Sequence, residues 1–329
     1  MNLHAISFNL DSIAGWGKFP RFCVNTYRWG DKFFNTYDSL YVVGSGTKFN
    51  VKLTTDSWLN YINFSIPPKR TVNMVSDPST SAGLYLTYLA VSVGYDINVS
   101  KLFGGSPHSR QRYNFGFTCS LFSTELYWEK NDVGTRLHRF GDEKDLDIDF
   151  NGIDMTSWGF DVFYFFNHKK YSQAAAFAFS KIQKRSQGSF YAGFSMYTQN
   201  YDIDFSSLPQ YMLDQLPSWW NDYHYRVHTH NYGLRLGYGY NWVFAPRWCL
   251  GVSVSPVIGV RKGFVNSESE NVSFSLYNHF KLSLVWNKGR WFAGIVGSVD
   301  SALISERETT FIGSNISAST AVGYRFNLW

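Results

Sequence analysis

The chain predicts an all-β fold: an antiparallel transmembrane β-barrel of about 12 strands behind an irregular N-terminal lead segment. Three observations carry this: alternating segments too long for a soluble sheet, an aromatic-rich and charge-poor composition, and a pattern of tight and long connections. Alternation is clearest from residue 246 onward. Between 246 and 262, Leu250, Val252, Val254, Ile258 and Val260 share one face, and Cys249, Gly251, Ser253, Ser255 and Arg261 the other. Between 270 and 287, Val272, Phe274, Leu276, Phe280, Leu282, Leu284 and Trp286 alternate with Ser273, Ser275, Tyr277, His279, Lys281 and Ser283. Period two defines a strand, and two-sidedness implies two solvents. Soluble strands average about five or six residues, whereas a membrane strand needs roughly nine to eleven.

Composition points the same way. Of the 329 residues, 17% are charged, below the roughly 25% of soluble domains. Aromatics reach 19%, with 12 Trp, 22 Tyr and 29 Phe, as expected if Trp and Tyr collect in interfacial girdles. Mean hydropathy is −0.23, and the longest apolar run, near 162–166, falls far short of the ~20 residues of a membrane helix. A helical membrane protein is excluded. Cys23, Cys119 and Cys249 are scattered and odd in number, so neither a disulfide framework nor a metal site is expected, and no cofactor. The net charge of +5 comes without a Lys/Arg run, which argues against nucleic acid and suits contact with anionic lipid headgroups. Residues 1–10 lack the basic and apolar regions of a signal peptide. An outer-membrane protein needs one, so the expectation is a trimmed chain or a start upstream.

The strand ladder reads 46–66, 82–97, 112–131, 133–150, 155–167, 171–184, 187–200, 224–243, 246–262, 270–287, 290–305 and 310–328, an even number as bacterial barrels require. Residues 46–329 form the barrel; residues 1–45, rich in Trp, Phe, Tyr and Gly without alternation, form a periplasmic or lumenal lead. Tight turns are expected at 151–154, 244–247 and 287–290, on the periplasmic side with the C-terminus. Longer connections, including 66–82, 200–223 and 263–270, are assigned outside. Two depart from that rule: 98–111 is long for a periplasmic turn and 305–310 short for an outer loop. Val322, Tyr324, Phe326 and Leu328 alternate before Trp329, a terminal pattern of the kind that barrel assembly machinery reads.

The run 29–38 (WGDKFFNTYD) followed by 41–47 (YVVGSGT) resembles the opening block of an outer-membrane β-barrel family, a domain of unknown function, abundant in gut Gram-negative anaerobes. The segment 180–190 looks like its central turn and 237–240 like a later strand. The resemblance implies the outer membrane of a Gram-negative bacterium and no established activity, so it assigns no functional residues.

Several constellations bear on function. His224, His228 and His230 share the parity of Tyr232 and Leu234, which places them on the outer wall above the lipid face. They are read as a polar rim in preference to a metal site, because i and i+4 lie about 13 Å apart along a strand. Asp145, Asp147 and Asp149 alternate with Leu146, Ile148 and Phe150 and are expected to line the lumen. Arg235, Arg261, His279, Lys281 and Arg325 fall on predicted lumen faces, so an ion-pair network filling a narrow barrel is favoured over a cation-attracting pore. Basic residues at the turns, such as Arg185, Arg247, Lys288 and Arg290, are read as solvated anchors. The loop 201–223 is long enough to be functional. It predicts a short helix near 211–216 and an inward plug or an outer-leaflet contact. The expected function is a non-enzymatic narrow channel or a structural and interaction barrel, in contact with outer-membrane lipid. The alternative is a hydrolase acting on lipid or peptide at the extracellular rim, although no GxSxG context supports a nucleophile.

Overall fold

The computed structural model describes residues 11–327 apart from 13–14, 67–69, 104–109, 217–222, 266–270 and 307–308. The described part of the lead includes the helix α1 (Lys18–Phe34) and a short strand, β1 (Val42–Gly44). Then come β2 (Phe49–Ile66), β3 (Arg70–Ser76), β4 (Ser79–Tyr88), β5 (Val91–Asn98), β6 (Arg110–Thr118), β7 (Phe122–Gly141) and β8 (Glu143–Phe165). After β9 (Lys181–Gln183) follow β10 (Gln187–Asp204), a short helix α2 (Gln210–Leu213), β11 (His224–Ala245), β12 (Trp248–Val265), β13 (Asn271–Lys288), β14 (Trp291–Glu306) and β15 (Thr309–Phe326). Among the described residues no helix is long and apolar enough to cross a membrane.

All wall pairings are antiparallel, and the sheet closes where β15 meets β2, from Phe311 opposite Phe64 to Phe326 opposite Phe49. The connections after β4, β6, β11 and β13 lie at the end shared with the termini of β2 and β15, here the tight-turn end. The opposite end, which carries residues 205–223, is the loop end. Closure is not uniform. β2 faces β3 over its loop-end half and β4 over the other. β3 bonds directly to β7, whereas β4 reaches β7 only through β5 and β6. A section near the loop end therefore cuts ten strands and one near the tight turns cuts twelve. Barrel diameter grows with strand number, so the wall tapers.

Six expectations from the sequence change: residues 66–82, assigned to an outer connection, contain β3 and the start of β4, residues 112–131 are two strands, β6 and the first half of β7, and four more follow. Residues 82–97 are not one strand but belong to the β4–β5 hairpin, turned at Leu89 with φ 54°. Asn98 and Arg110 thereby stand at mid-wall, away from the tight turns, which removes the long periplasmic turn. The tight turn expected at 151–154 lies inside β8; the reversal is at Gly141 (φ 61°), just before Glu143. Residues 171–184 form no wall strand: Phe165 of β8 and Gln187 of β10 bracket an inward-folded segment, and β8 pairs directly with β10. The wall still reaches twelve because the hairpin adds the strand that this segment removes.

The wall is apolar outside and polar inside. Leu234, Leu236, Ile258, Phe274 and Leu276 face out and are exposed, while Asn231, Arg235, Ser255, Ser275 and Ser283 are buried inside. Aromatics gather near the tight turns, with Trp242, Phe244 and Trp248 in a row and Trp291 edge-on to Tyr324 at 4.9 Å. Leu234 is 67% exposed midway along β11. Leu234→Arg is expected to lower the unfolding free energy in lipid by about 2–4 kcal/mol, the cost of a cation on the lipid face at mid-depth. Urea unfolding in vesicles measures it; an unchanged midpoint would mean that this face does not meet lipid.

Candidate functional site in the lumen

The lumen has three zones, and the chain itself occupies the outer two. At the loop end, residues 205–216 fold into the mouth. Phe205 is fully buried among Phe64, Phe140 and Phe150, with ring centroids at 6.5, 6.0 and 5.4 Å. Met212, Leu213 and Leu216 from α2 and the turn after it complete an apolar cluster with Val72, Met74, Leu137 and Val227. Arg70 ties the segment down by donating Nη1 to the Gln215 carbonyl at 2.9 Å. Of the two placements predicted for this loop, the described part is the inward one; Trp219 and Trp220 lie outside the described residues.

This apolar mouth overturns one set of predicted lumen residues. Asp145, Asp147 and Asp149 are exposed on the outer face of the β8 extension, while Leu146, Ile148 and Phe150 face the cluster. Arg136 meets Asp147 at 3.0 Å, Asp149 at 3.6 Å and Asp77 at 3.6 Å on that outer face. The period was right and the face was wrong: where the interior is apolar, the apolar parity turns inward.

The middle zone is polar. Arg235 Nη2 lies 2.9 Å from Asp161, which also accepts from Ser195 Oγ at 2.5 Å. Arg112 bridges Glu125 at 3.2 Å and Glu129 at 3.6 Å. His279 Nδ1 is 2.7 Å from Asp300, and Tyr85 donates to Asp96 at 2.5 Å. Arg261 and Arg235 are buried, and Lys281 lines a cavity of about 330 Å³ with Lys52, Asp56, Arg112 and Glu125. The carboxylate partners of Arg235 and His279 were missed from sequence, yet a signal existed: Asp161 is the sole charge in 155–167, and Asp300 the sole charge between Trp291 and Ser305. A lone charge in an otherwise uncharged membrane strand belongs inside. Removing Asp161 strands Arg235 without its carboxylate, so Asp161→Ala is expected to cost about 3–5 kcal/mol. Arg235→Met in the same chain should recover most of it, read as the midpoint of heat-dependent gel mobility; no recovery would mean that the two side chains are not coupled.

At the tight-turn end, residues 37–44 and 167–185 close the lumen. β1 pairs with β9, and the Gln183 amide joins the pieces. Its Nε2 donates to the carbonyls of Lys170, Arg185 and Tyr41 at 2.7, 2.9 and 3.3 Å, and its Oε1 accepts from Ser172 N–H and Asn241 Nδ2, both at 3.1 Å. A wide turn, Ala174–Ala178, ends at Phe179 in the left-handed region and stacks Phe179 on Phe292. Arg325, fully buried, donates Nη2 to the Phe179 carbonyl at 2.5 Å and to Asn287 Oδ1 at 2.6 Å. The wall makes room at Gly251, where a Cβ would sit 2.6 Å from the Ala176 Cβ. Burial of the Tyr37 hydroxyl in this plug pushes its pKa well above the ordinary phenol value.

His224, His228 and His230 share the outward parity of Tyr232 and Leu234 toward the loop end of β11. His224 Nδ1 is 2.7 Å from Asp202, His230 Nδ1 is 2.9 Å from Thr198 Oγ1, and His228 bonds to Asn200. His228 and His230 rings meet edge to face at 5.0 Å. Among the described residues no group of three or more His, Cys, Asp or Glu side chains is placed to hold a metal ion.

A closed antiparallel sheet that is apolar outside, ionic inside and collared with aromatics is a transmembrane β-barrel. The chain belongs to the family described as a domain of unknown function (DUF4421), whose model matches residues 36–326. No curated protein matches it. Among solved structures it is similar to the outer-membrane protease OmpT of Escherichia coli (9% identity, TM-score 0.38, 85% of this chain and 97% of that one). It is also similar to an outer-membrane channel of Pseudomonas putida F1 (8%, 0.41, 85% and 96%) and to the P. putida toluene transporter TodX (8%, 0.31, 85% and 90%).

Proposed function

We propose that this is an outer-membrane barrel of a Gram-negative bacterium, non-enzymatic and shut at rest, acting as a structural or interaction barrel, not as an open pore. One observation carries the reading: Phe205 and its cluster fill one mouth while residues 167–185 fill the other. Between them Arg235–Asp161, Arg112–Glu125 and His279–Asp300 are paired at close range, which suits packing more than conduction. Its partners are outer-membrane lipid and, during biogenesis, the barrel assembly machinery, with the tight turns in the periplasm. Planar-bilayer recording tests it. The wild-type barrel is expected to give no steady conductance, and a steady open level would overturn the closed reading.

The 2.7 Å His224–Asp202 pair favours a second reading, a hydrolase acting on lipid or peptide at the outer rim. Detected hydrolysis that disappears in His224→Ala would establish it; hydrolysis that survives both His224→Ala and His228→Ala would remove it.

A further inference from the structure

We infer that α1 lies in the headgroup layer of an anionic phospholipid leaflet beside the tight-turn end, with its aromatic face in the lipid. The inference rests on the outer-membrane reading and adds a second membrane contact outside the barrel wall.

At 3.6 residues per turn, Phe19, Phe22, Trp29 and Phe33 fall within an arc of about 80°. None is covered: they are 74%, 66%, 64% and 47% exposed. Trp29 and Phe33 stack flat at 5.3 Å, which makes the face continuous. Lys18, Arg21, Arg28 and Lys32 occupy the adjoining arc, again about 80° wide. Val24, on the side opposite the aromatics, is buried at 4%, so burial falls on that side of the helix and the aromatic side is left exposed. Large exposed aromatics flanked by cations on a helix too polar to cross are the pattern of an interfacial helix.

The position in the chain selects the occupant. Thr36 Oγ1 donates to the Lys32 carbonyl at 2.5 Å and ends the helix. Two residues on, the Asp38 N–H donates to the Lys169 carbonyl at 2.8 Å, anchoring the chain to the plug at the tight-turn end. That end carries Trp242, Phe244, Trp248 and Trp291 on the outer wall. The aromatic face of α1 is thus tethered within a few residues of the wall's own aromatic collar. Lys18, Arg21 and Lys32 beside it match phosphate headgroups of negative net charge, while Arg28 is held by Asp11 at 2.6 Å.

The test places nitroxide labels on the full chain in nanodiscs containing phosphatidylglycerol. In a Cys23→Ser background, Phe22→Cys reports the helix, Leu234→Cys the barrel belt and Asp147→Cys the water-facing rim. The Phe22 label is expected to match the Leu234 label: open to oxygen and shielded from a water-soluble nickel complex. Reversing Lys18, Arg21 and Lys32 to Glu should cut that oxygen-to-nickel ratio several-fold, and discs of phosphatidylcholine alone should lower it in the same direction. A Phe22 label as wet as Asp147 beside a shielded Leu234 overturns the inference and leaves the barrel standing. A wet Leu234 label overturns both. A shielded Phe22 label indifferent to charge reversal overturns the assignment to anionic headgroups.

Discussion

A barrel carrying both Phe205→Asp and Gly251→Leu is expected to conduct ions where neither single variant does. The two closures lie in series along one lumen, so opening either alone leaves the other shut. Phe205→Asp sets a carboxylate among Phe64, Phe140 and Phe150. Truncating a buried Phe alone costs about 3–5 kcal/mol, and a carboxylate set among aromatic rings adds a desolvation cost, so residues 205–216 are expected to turn out to water. Gly251→Leu acts at the other end. Even its Cβ would stand 2.6 Å from the Ala176 Cβ and 2.6 Å from Ser283 Oγ; the wall strand is held by its ladder on both sides, so the wide turn Ala174–Ala178 is the part that yields. Single-channel recording of all four chains decides the matter. Steady current through one single variant would show that its opposite end was never sealed, and silence from the double variant would assign the seal to the Arg235–Asp161 and Arg112–Glu125 pairs between.

The second large effect is expected at Gln183. Gln183→Leu keeps the volume and removes five hydrogen bonds made by one buried amide. Each buried group left without a partner costs about 1–3 kcal/mol, and the carbonyls of Tyr41, Lys170 and Arg185 are all affected. β1 and β9 should separate, because Gln183 is both a β9 residue and the bridge to Asn241 on the wall. The wall strands retain their own ladders. The expected result is protease cleavage within 167–186 at rates at which the wild type resists, with the heat-dependent gel shift of the barrel nearly unchanged. Equal resistance in both chains would show that the plug is held elsewhere, with Arg325 the next anchor to remove.

What sequence reveals here follows from solvent contrast. β10 to β15 were legible because each separates lipid from a polar lumen, so parity and face agree. Where the interior turns apolar, at Phe150 and Leu146, parity survives and face inverts, which is why Asp145, Asp147 and Asp149 were placed on the wrong side. The β4–β5 hairpin was hidden because its turn is Leu89-Ala90, without glycine or proline, and the left-handed Leu89 has no local signature. Conversely, Asn151-Gly152 looks like a turn and lies within β8. Residues 171–184 hold only the three-residue strand β9, and its pairing with β1 depends on a partner more than 130 residues away. Arg235, Arg261, His279, Lys281 and Arg325 lie on inward faces, and their neighbours Asp161, Asp300, Glu125 and Glu129 were overlooked. Their strands cross the wall at registers that no short-range pattern encodes.

The fork in the wall has an arithmetic consequence. An antiparallel cylinder closes only on an even number of strands, because an odd count would force two neighbours to run the same way. Between the two ends the count changes from twelve to ten, and the β5–β6 hairpin makes that change by inserting an up strand and a down strand together between β4 and β7. Lengthening or shortening that one hairpin would slide the level of the transition up or down the cylinder by opening or extending the β3–β7 ladder, while the other pairs stayed in register. Calibre and closure are therefore separable properties in this architecture: a change in the length of the β5–β6 hairpin alters the bore and leaves the β15–β2 seam intact.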